Sequence, residues 1–343
     1  MSEQAKSLMQ NGYVVDCLFH DMIEDPPLHC TADRTLVDMV LEGGVTTVST
    51  TIKADTYGTL GFMDLCRELY QYYLFEETLS NKAKLIYTYQ DIVDAKKAGK
   101  LGIIMSTQGA DVIENDIRLI SMAYKLGLRI VQITYNQNGH IGSGVFEPTD
   151  LGLTRFGQQA IYEMNRVGML IDLSHVGYKT TMDAMAVSKK PVVFSHSSVK
   201  ALCKNRRNLA DDQIKACAQT GGVICLCPHS VFCTDENSIP DVDVFINHMK
   251  YVADLVGVEY IGIGTDRFVQ PTLLHLMSRT EFSRTLPGFF GPYGVENKQV
   301  TGFNHFNDWE NLADNMLRRG FSESDVGKVL GNNLMRVFKD LWM

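Results

Sequence analysis

Eight short apolar runs, separated by segments of helical character, limit the folds open to this chain more than any other feature. They are YVVDCL (13–18), VTTVSTTI (45–52), LGIIMST (101–107), RIVQITY (129–135), MLIDLS (169–174), PVVFS (191–195), GVICLC (222–227) and YIGIGT (260–265). Most are near-continuous in apolar or small residues, the pattern of strands covered on both faces. Between them lie helical patterns such as ENDIRLISMAYKLG, RFGQQAIYEMNRVG and VDVFINHMKYVADLVG, several closing on a glycine at the C′ position, as at Gly168. Strands that alternate with helices pair in parallel, because a parallel partner requires a crossover. Eight such units predict an α/β fold of the (β/α)8 TIM-barrel type. An open doubly wound sheet is the alternative, and the lack of a GxGxxG after the first run counts against a dinucleotide-binding version. No Pro/Ser-rich linker or internal repeat divides the 343 residues. A single domain over 1–343 is expected, with a long loop at 268–308 and an amphipathic C-terminal helix in SESDVGKVLGNNLMRVFKDLW.

A net charge of −8 argues against nucleic acid or an anionic membrane as the main partner. No run approaches the roughly 18 apolar residues of a membrane span. The first residues, MSEQAKSLMQNG, lack the apolar stretch of a signal peptide. A cytoplasmic protein acting on a small molecule is expected, with a homodimer as the default assembly. The eight cysteines form no CxxC pair, so reduced, mostly buried thiols are expected.

In a barrel of this kind the chemistry sits at the C-terminal ends of the strands. Two apolar runs end on histidine, His175 after MLIDLS and His196 in PVVFSHSS, and the last is followed by Asp266. Two imidazoles on consecutive strands suit a divalent cation such as zinc, and a nearby carboxylate suits a water's proton. The plainer reading makes the histidines hydrogen-bonding loop residues, Asp266 a helix cap and Gln108 a buried amide.

The set DLSHVG (172–177), FSHSS (194–198) with RRN (206–208), EMNRVG (163–168), GIGTD (262–266) and LGNNLMRVF (330–338) resembles the renal or membrane dipeptidase family of the amidohydrolase superfamily. The resemblance covers nearly the whole chain. It implies a metal-dependent barrel, zinc, and hydrolysis of a dipeptide or related amide. It places His175 and His196 on metal-ligand positions, Asp266 on the aspartate that handles the proton, and Arg207 on the arginine that holds substrate.

The departures fall together. Where the family's first strand ends in Asp-Gly-His-x-Asp, this chain reads VVDCLFHD, with Leu18 and His20 at the two ligand positions and Cys17 beside them. Gln108 stands where the family has the carboxylate that bridges two metals, and Tyr135 where it has a substrate-facing histidine. A neutral amide brings no charge to offset repulsion between two cations. One zinc per chain is therefore expected at His175 and His196, with Gln108 or Asp266 nearby. Two zincs are the alternative, if His20 or Cys17 rebuilds the second position. Arg207, Tyr135, Asn136 and His140 are the expected substrate contacts. His229, His305 and the Asp150, Thr154, Arg155 loop are lesser candidates. The competing function is a barrel that binds a small molecule, or runs a lyase or decarboxylase reaction at one metal.

Overall fold

The structure is a computed structural model and describes residues 2–19, 35–54, 61–236, 238–267 and 300–343. Among these, nine parallel strands make one sheet: β1 (Val15–Phe19), β2 (Thr47–Ala54), β3 (Ala83–Leu85), β4 (Leu101–Gln108), β5 (Leu128–Gln132), β6 (Leu170–Asp172), β7 (Val192–Ser197), β8 (Val223–Leu226) and β9 (Ile261–Ile263). Eight follow one another in the order β1-β2-β4-β5-β6-β7-β8-β9. The ring closes where Phe19 bridges Arg267 and the Asp266 N–H donates to the Leu18 carbonyl at 2.9 Å. This is the expected (β/α)8 barrel. Each of the eight apolar runs contributes one of its staves.

β3 has no counterpart among those runs. It is three residues long and pairs Ala83 with Leu101 on the lower half of β4. β5 joins the same edge of β4 higher up, from Met105 opposite Leu128.

Side chains alternate across the wall, as strand geometry requires. On β7, Val192 and Phe194 face the outer core under the helices, while Val193 faces inward; on β8, Ile224 and Leu226 face out and Val223 and Cys225 face in. The inward set, with Val15, Cys17, Ile104, Ile130 and Leu170, fills the lower barrel. Helix Asn333–Leu341 closes the floor with Leu334, Val337 and Phe338, and Trp342 stacks on Phe338 at 4.5 Å. The chain reaches this helix through a π turn over Lys328–Asn332. Gly331 sits there because a Cβ would meet the Tyr13 carbonyl oxygen at 2.4 Å. No helix among the described residues is long and apolar enough to cross a membrane.

Above the apolar layer the inward positions turn polar. Continuing each alternation upward leads to Ser106 and Gln108 on β4, Gln132 on β5, Asp172 on β6 and Ser195 on β7, all buried. The site stands on this layer.

Candidate active site

Asp172 ends β6 with its carboxylate out of water. Oδ1 accepts from the Ser174 and Ser195 N–H groups, both at 2.9 Å, and Oδ2 accepts from the Ser195 hydroxyl at 2.5 Å. Burial pushes this carboxyl above its ordinary range, against the pull of those hydrogen bonds. The clamp ties the tips of β6 and β7 together and hands the chain to His175, which takes a left-handed conformation with φ of 65°. Its Nδ1 lies 2.7 Å from Asn136 Oδ1, and Tyr135 stacks on its ring at 4.2 Å. Asn136 is itself left-handed, with φ of 57°.

His196 is fully buried on β7. Its N–H donates to Ser174 Oγ at 3.0 Å, and its Nδ1 is 2.8 Å from Ser195 Oγ. The two rings meet at Nε2, 2.8 Å apart, and Gln108 Nε2 lies 3.3 Å from His196 Nε2. Two imidazole nitrogens this close, each ring held at Nδ1 by another group, need a shared proton or a cation against them. The residues therefore fit a cation that takes Nε2 ligands. Among the described residues no group of three or more His, Cys, Asp or Glu side chains is placed to hold a metal. A metal here would rest on two imidazoles, with the Gln108 amide, water or substrate completing its shell.

A second clamp closes the barrel on the other side. Asp16 Oδ1 accepts from the Leu18 N–H at 3.3 Å and the Thr265 N–H at 2.8 Å, and Oδ2 accepts from Thr265 Oγ1 at 2.6 Å. Burial pushes this carboxyl up to about 6, although Thr265 and Arg267 pull it down. Asp266 follows, left-handed with φ of 46°. Among described non-glycine residues only Glu114 shares this backbone region with Asn136, His175 and Asp266. Strain of this kind gathers at functional sites.

Arg207 reaches in from the loop after β7. Its NH2 donates to the His196 carbonyl at 3.0 Å, its NH1 to Ser197 Oγ at 3.3 Å, and it lies over the Phe232 ring. Burial depresses its pKa, and Cys227, Tyr135 and Asp266 are among the groups acting on it. Its Nε is buried without a hydrogen-bond partner among the described residues, which suits this guanidinium to an anionic group on a ligand. Tyr135 feels both Asp266 and Arg207, and burial pushes its phenol well above the ordinary range.

The structure thus brings His175, His196, Gln108, Tyr135, Asn136, Arg207 and Asp266 to one end of the barrel. It does not bring Cys17 there: that thiol is in the lower core against Cys225. Leu18 is buried at the tip of β1, in place of a ligand. His20 lies outside the described residues. His140 is exposed, and its carbonyl accepts from Thr154 Oγ1 at 2.6 Å. Thr154 caps helix Arg155–Val167, and Asp150 accepts from the Lys179 and Thr180 N–H groups, so both organise helix starts. The His305 carbonyl accepts from Arg267 at 2.9 Å. His229 is buried with Nε2 3.7 Å from Asp266 Oδ2. Sequence reading passed over Asp16, Asp172, Ser195 and Thr265. The signal was a repeated one: an acid two residues before the end of the apolar run, and a hydroxyl residue directly before His196 or Asp266.

Comparison with known proteins agrees with this architecture. Residues 8–272 match the model of the membrane dipeptidase family, peptidase family M19. A dipeptidase, tcpJ, from Claviceps purpurea is 26% identical over 289 residues, 84% of this chain and 60% of that protein. The chain thus spans about 60% of the length of this curated relative. An amidohydrolase from Pseudomonas aeruginosa superposes with a TM-score of 0.84 at 29% identity, covering 98% of this chain and 99% of that one. A metallo peptidase from Rhodobacter sphaeroides, liganded with a phosphinate mimic of the dipeptide L-Ala-D-Ala, shares the fold at a TM-score of 0.77 and 18% identity, covering 96% and 99%. With three quarters of its length under one family model and the strand-tip residues assembled as above, the chain belongs to the membrane dipeptidase family, peptidase family M19.

Proposed function

We propose that this protein hydrolyses the amide bond of a dipeptide or similar small amide at a single zinc ion held by His175 and His196, with Gln108 beside it. The observation that carries the reading is the meeting of the two buried imidazoles at Nε2, 2.8 Å apart. When bound, the metal supplies a Lewis acid and lowers the pKa of a water. The chain's own residues do the rest. Asp266, held at the tip of β9, takes the proton of the attacking water and returns it to the leaving nitrogen. Arg207 pairs with the substrate carboxylate or the charge developing on the carbonyl oxygen, and the Tyr135 phenol donates to the same charge. Leu18 and Gln108, neither able to bring negative charge, support one metal over two.

The test is zinc per chain by plasma mass spectrometry on protein purified without chelator, followed by a dipeptide screen. About one zinc with dipeptide turnover supports the reading, and His175→Ala then removes both metal and activity. Two zincs per chain overturn the single-metal site. No zinc after soaking overturns the metal reading and favours a small-molecule binding protein. One zinc without amide turnover favours a lyase or decarboxylase.

A further inference from the structure

The barrel contains the same carboxylate clamp twice, and only one copy continues into a ring. In each copy an aspartate accepts from the N–H two residues ahead, from the N–H of a hydroxyl residue on the neighbouring strand, and from that hydroxyl. At Asp16 the chain of bonds stops, among the described residues, at Thr265. At Asp172 it goes on, because Ser195 Oγ also lies 2.8 Å from His196 Nδ1. A serine hydroxyl has one proton. The short, charge-assisted bond to Asp172 Oδ2 at 2.5 Å takes it. Ser195 then meets His196 with a lone pair, and Nδ1 must be the donor.

We infer that Asp172, acting through Ser195, is the positioning residue that fixes His196 as its Nδ1–H tautomer and turns the Nε2 lone pair into the pocket. Ser174 completes the device. Its hydroxyl lies 3.3 Å from Ser195 Oγ, beside the two N–H groups and the one O–H group that the Asp172 carboxylate accepts. The Ser174 oxygen also accepts the His196 N–H at 3.0 Å, which fixes the backbone from which the ring projects. Metal-binding histidines generally carry an acceptor at the far nitrogen, and here a serine is interposed between ring and acid. The consequence for metal affinity rests on the zinc reading above; the state of the ring does not.

The test uses the full chain labelled with 15N-histidine and stripped of metal, with ring nitrogens observed by long-range 1H–15N spectroscopy and His196 assigned by its loss in His196→Asn. The parent is expected to show Nδ1–H, whether or not its Nε2 shares a proton with His175. In Asp172→Asn the new amide keeps its oxygen on the backbone N–H groups and presents N–H to Ser195. The hydroxyl then turns its proton onto Nδ1, and the ring moves to Nε2–H. Zinc affinity, read by competition with a chelating dye, is expected to fall about 10- to 100-fold, the usual effect of losing such a partner. Ser195→Ala should leave both tautomers populated, and Ser195→Thr, which restores the hydroxyl, should keep Nδ1–H. A parent ring found as Nε2–H, or a folded Asp172→Asn protein still at Nδ1–H, overturns the inference. Should Asp172→Asn fail to fold, equal ring states in Ser195→Ala and the parent overturn it as well. A parent that binds no zinc sinks the functional reading and leaves the tautomer comparison intact.

Discussion

Asp16 shows how much a single buried group can weigh on this molecule. Its carboxyl is pushed up to about 6 by burial, from an ordinary 3.8. Between these values the folded protein keeps a proton that the unfolded chain has lost, so this group makes folding less favourable as pH rises through the window, with no further change above it. Asp16→Asn has no such ionisation. Its stability relative to the parent is expected to rise between pH 4 and pH 6, by up to about 3 kcal/mol for a shift of this size. Urea unfolding of both proteins at pH 4, 5, 6 and 7 measures it, and parallel profiles would refute the assignment. Asp266 has a different fate on substitution. Asp266→Asn keeps the two imidazoles and removes the proton acceptor, so zinc content should hold while kcat falls about 10²- to 10⁴-fold; unchanged turnover would remove Asp266 from the mechanism. Asp266, His175 and His196 were legible in the sequence because each follows an apolar run. Asp16 and Asp172 were not. An acid inside such a run reads as an interruption, and its partners Thr265 and Ser195 come from other strands, 249 and 23 residues away.

At the level of elements, the eight barrel strands could be read because apolar runs bounded by helices leave few other arrangements. β3 could not, since Ala83–Leu85 earns its place only by pairing with β4. The chain just beyond β9 passes close to β7, and Gly264 is the contact point: a Cβ there would meet the Ser195 carbonyl oxygen at 1.8 Å. Neither backbone can yield without moving Thr265 and Asp266 on one side and Ser195 and His196 on the other. Gly264→Ala is therefore expected to cost stability as overpacking does, about 1–3 kcal/mol or more, and to weaken zinc binding in the same protein. Denaturation midpoints with dye competition check both. A variant as stable as the parent would mean that the strands separate freely at this point.

Across the whole molecule, the candidate site and the packed floor occupy opposite ends of the barrel. The site lies at the strand tips. The floor is helix Asn333–Leu341 and Trp342, whose indole donates to the Gly168 carbonyl at 2.9 Å and whose own carbonyl accepts the Tyr89 N–H at 3.0 Å. These two bonds tie the chain's end to the start of β6 and of helix Tyr89–Lys97. Trp342→Ala removes a buried ring and its stack on Phe338, so a loss of about 3–5 kcal/mol is expected. Nothing in that loss touches His175 or His196. Zinc at a hundred times its dissociation constant should therefore stabilise parent and variant alike, by about 2.7 kcal/mol over the metal-free proteins, because binding to the folded state alone sets that increment. Distant, independent sites add in this way, whereas coupled ones do not. Four unfolding curves, parent and Trp342→Ala with and without zinc, close the cycle. Unequal zinc increments would mean that the floor reaches the site through the barrel wall. Asp172 is the member of that wall to pursue in that case, since its strand begins beside the Gly168 carbonyl and ends at the clamp on His196.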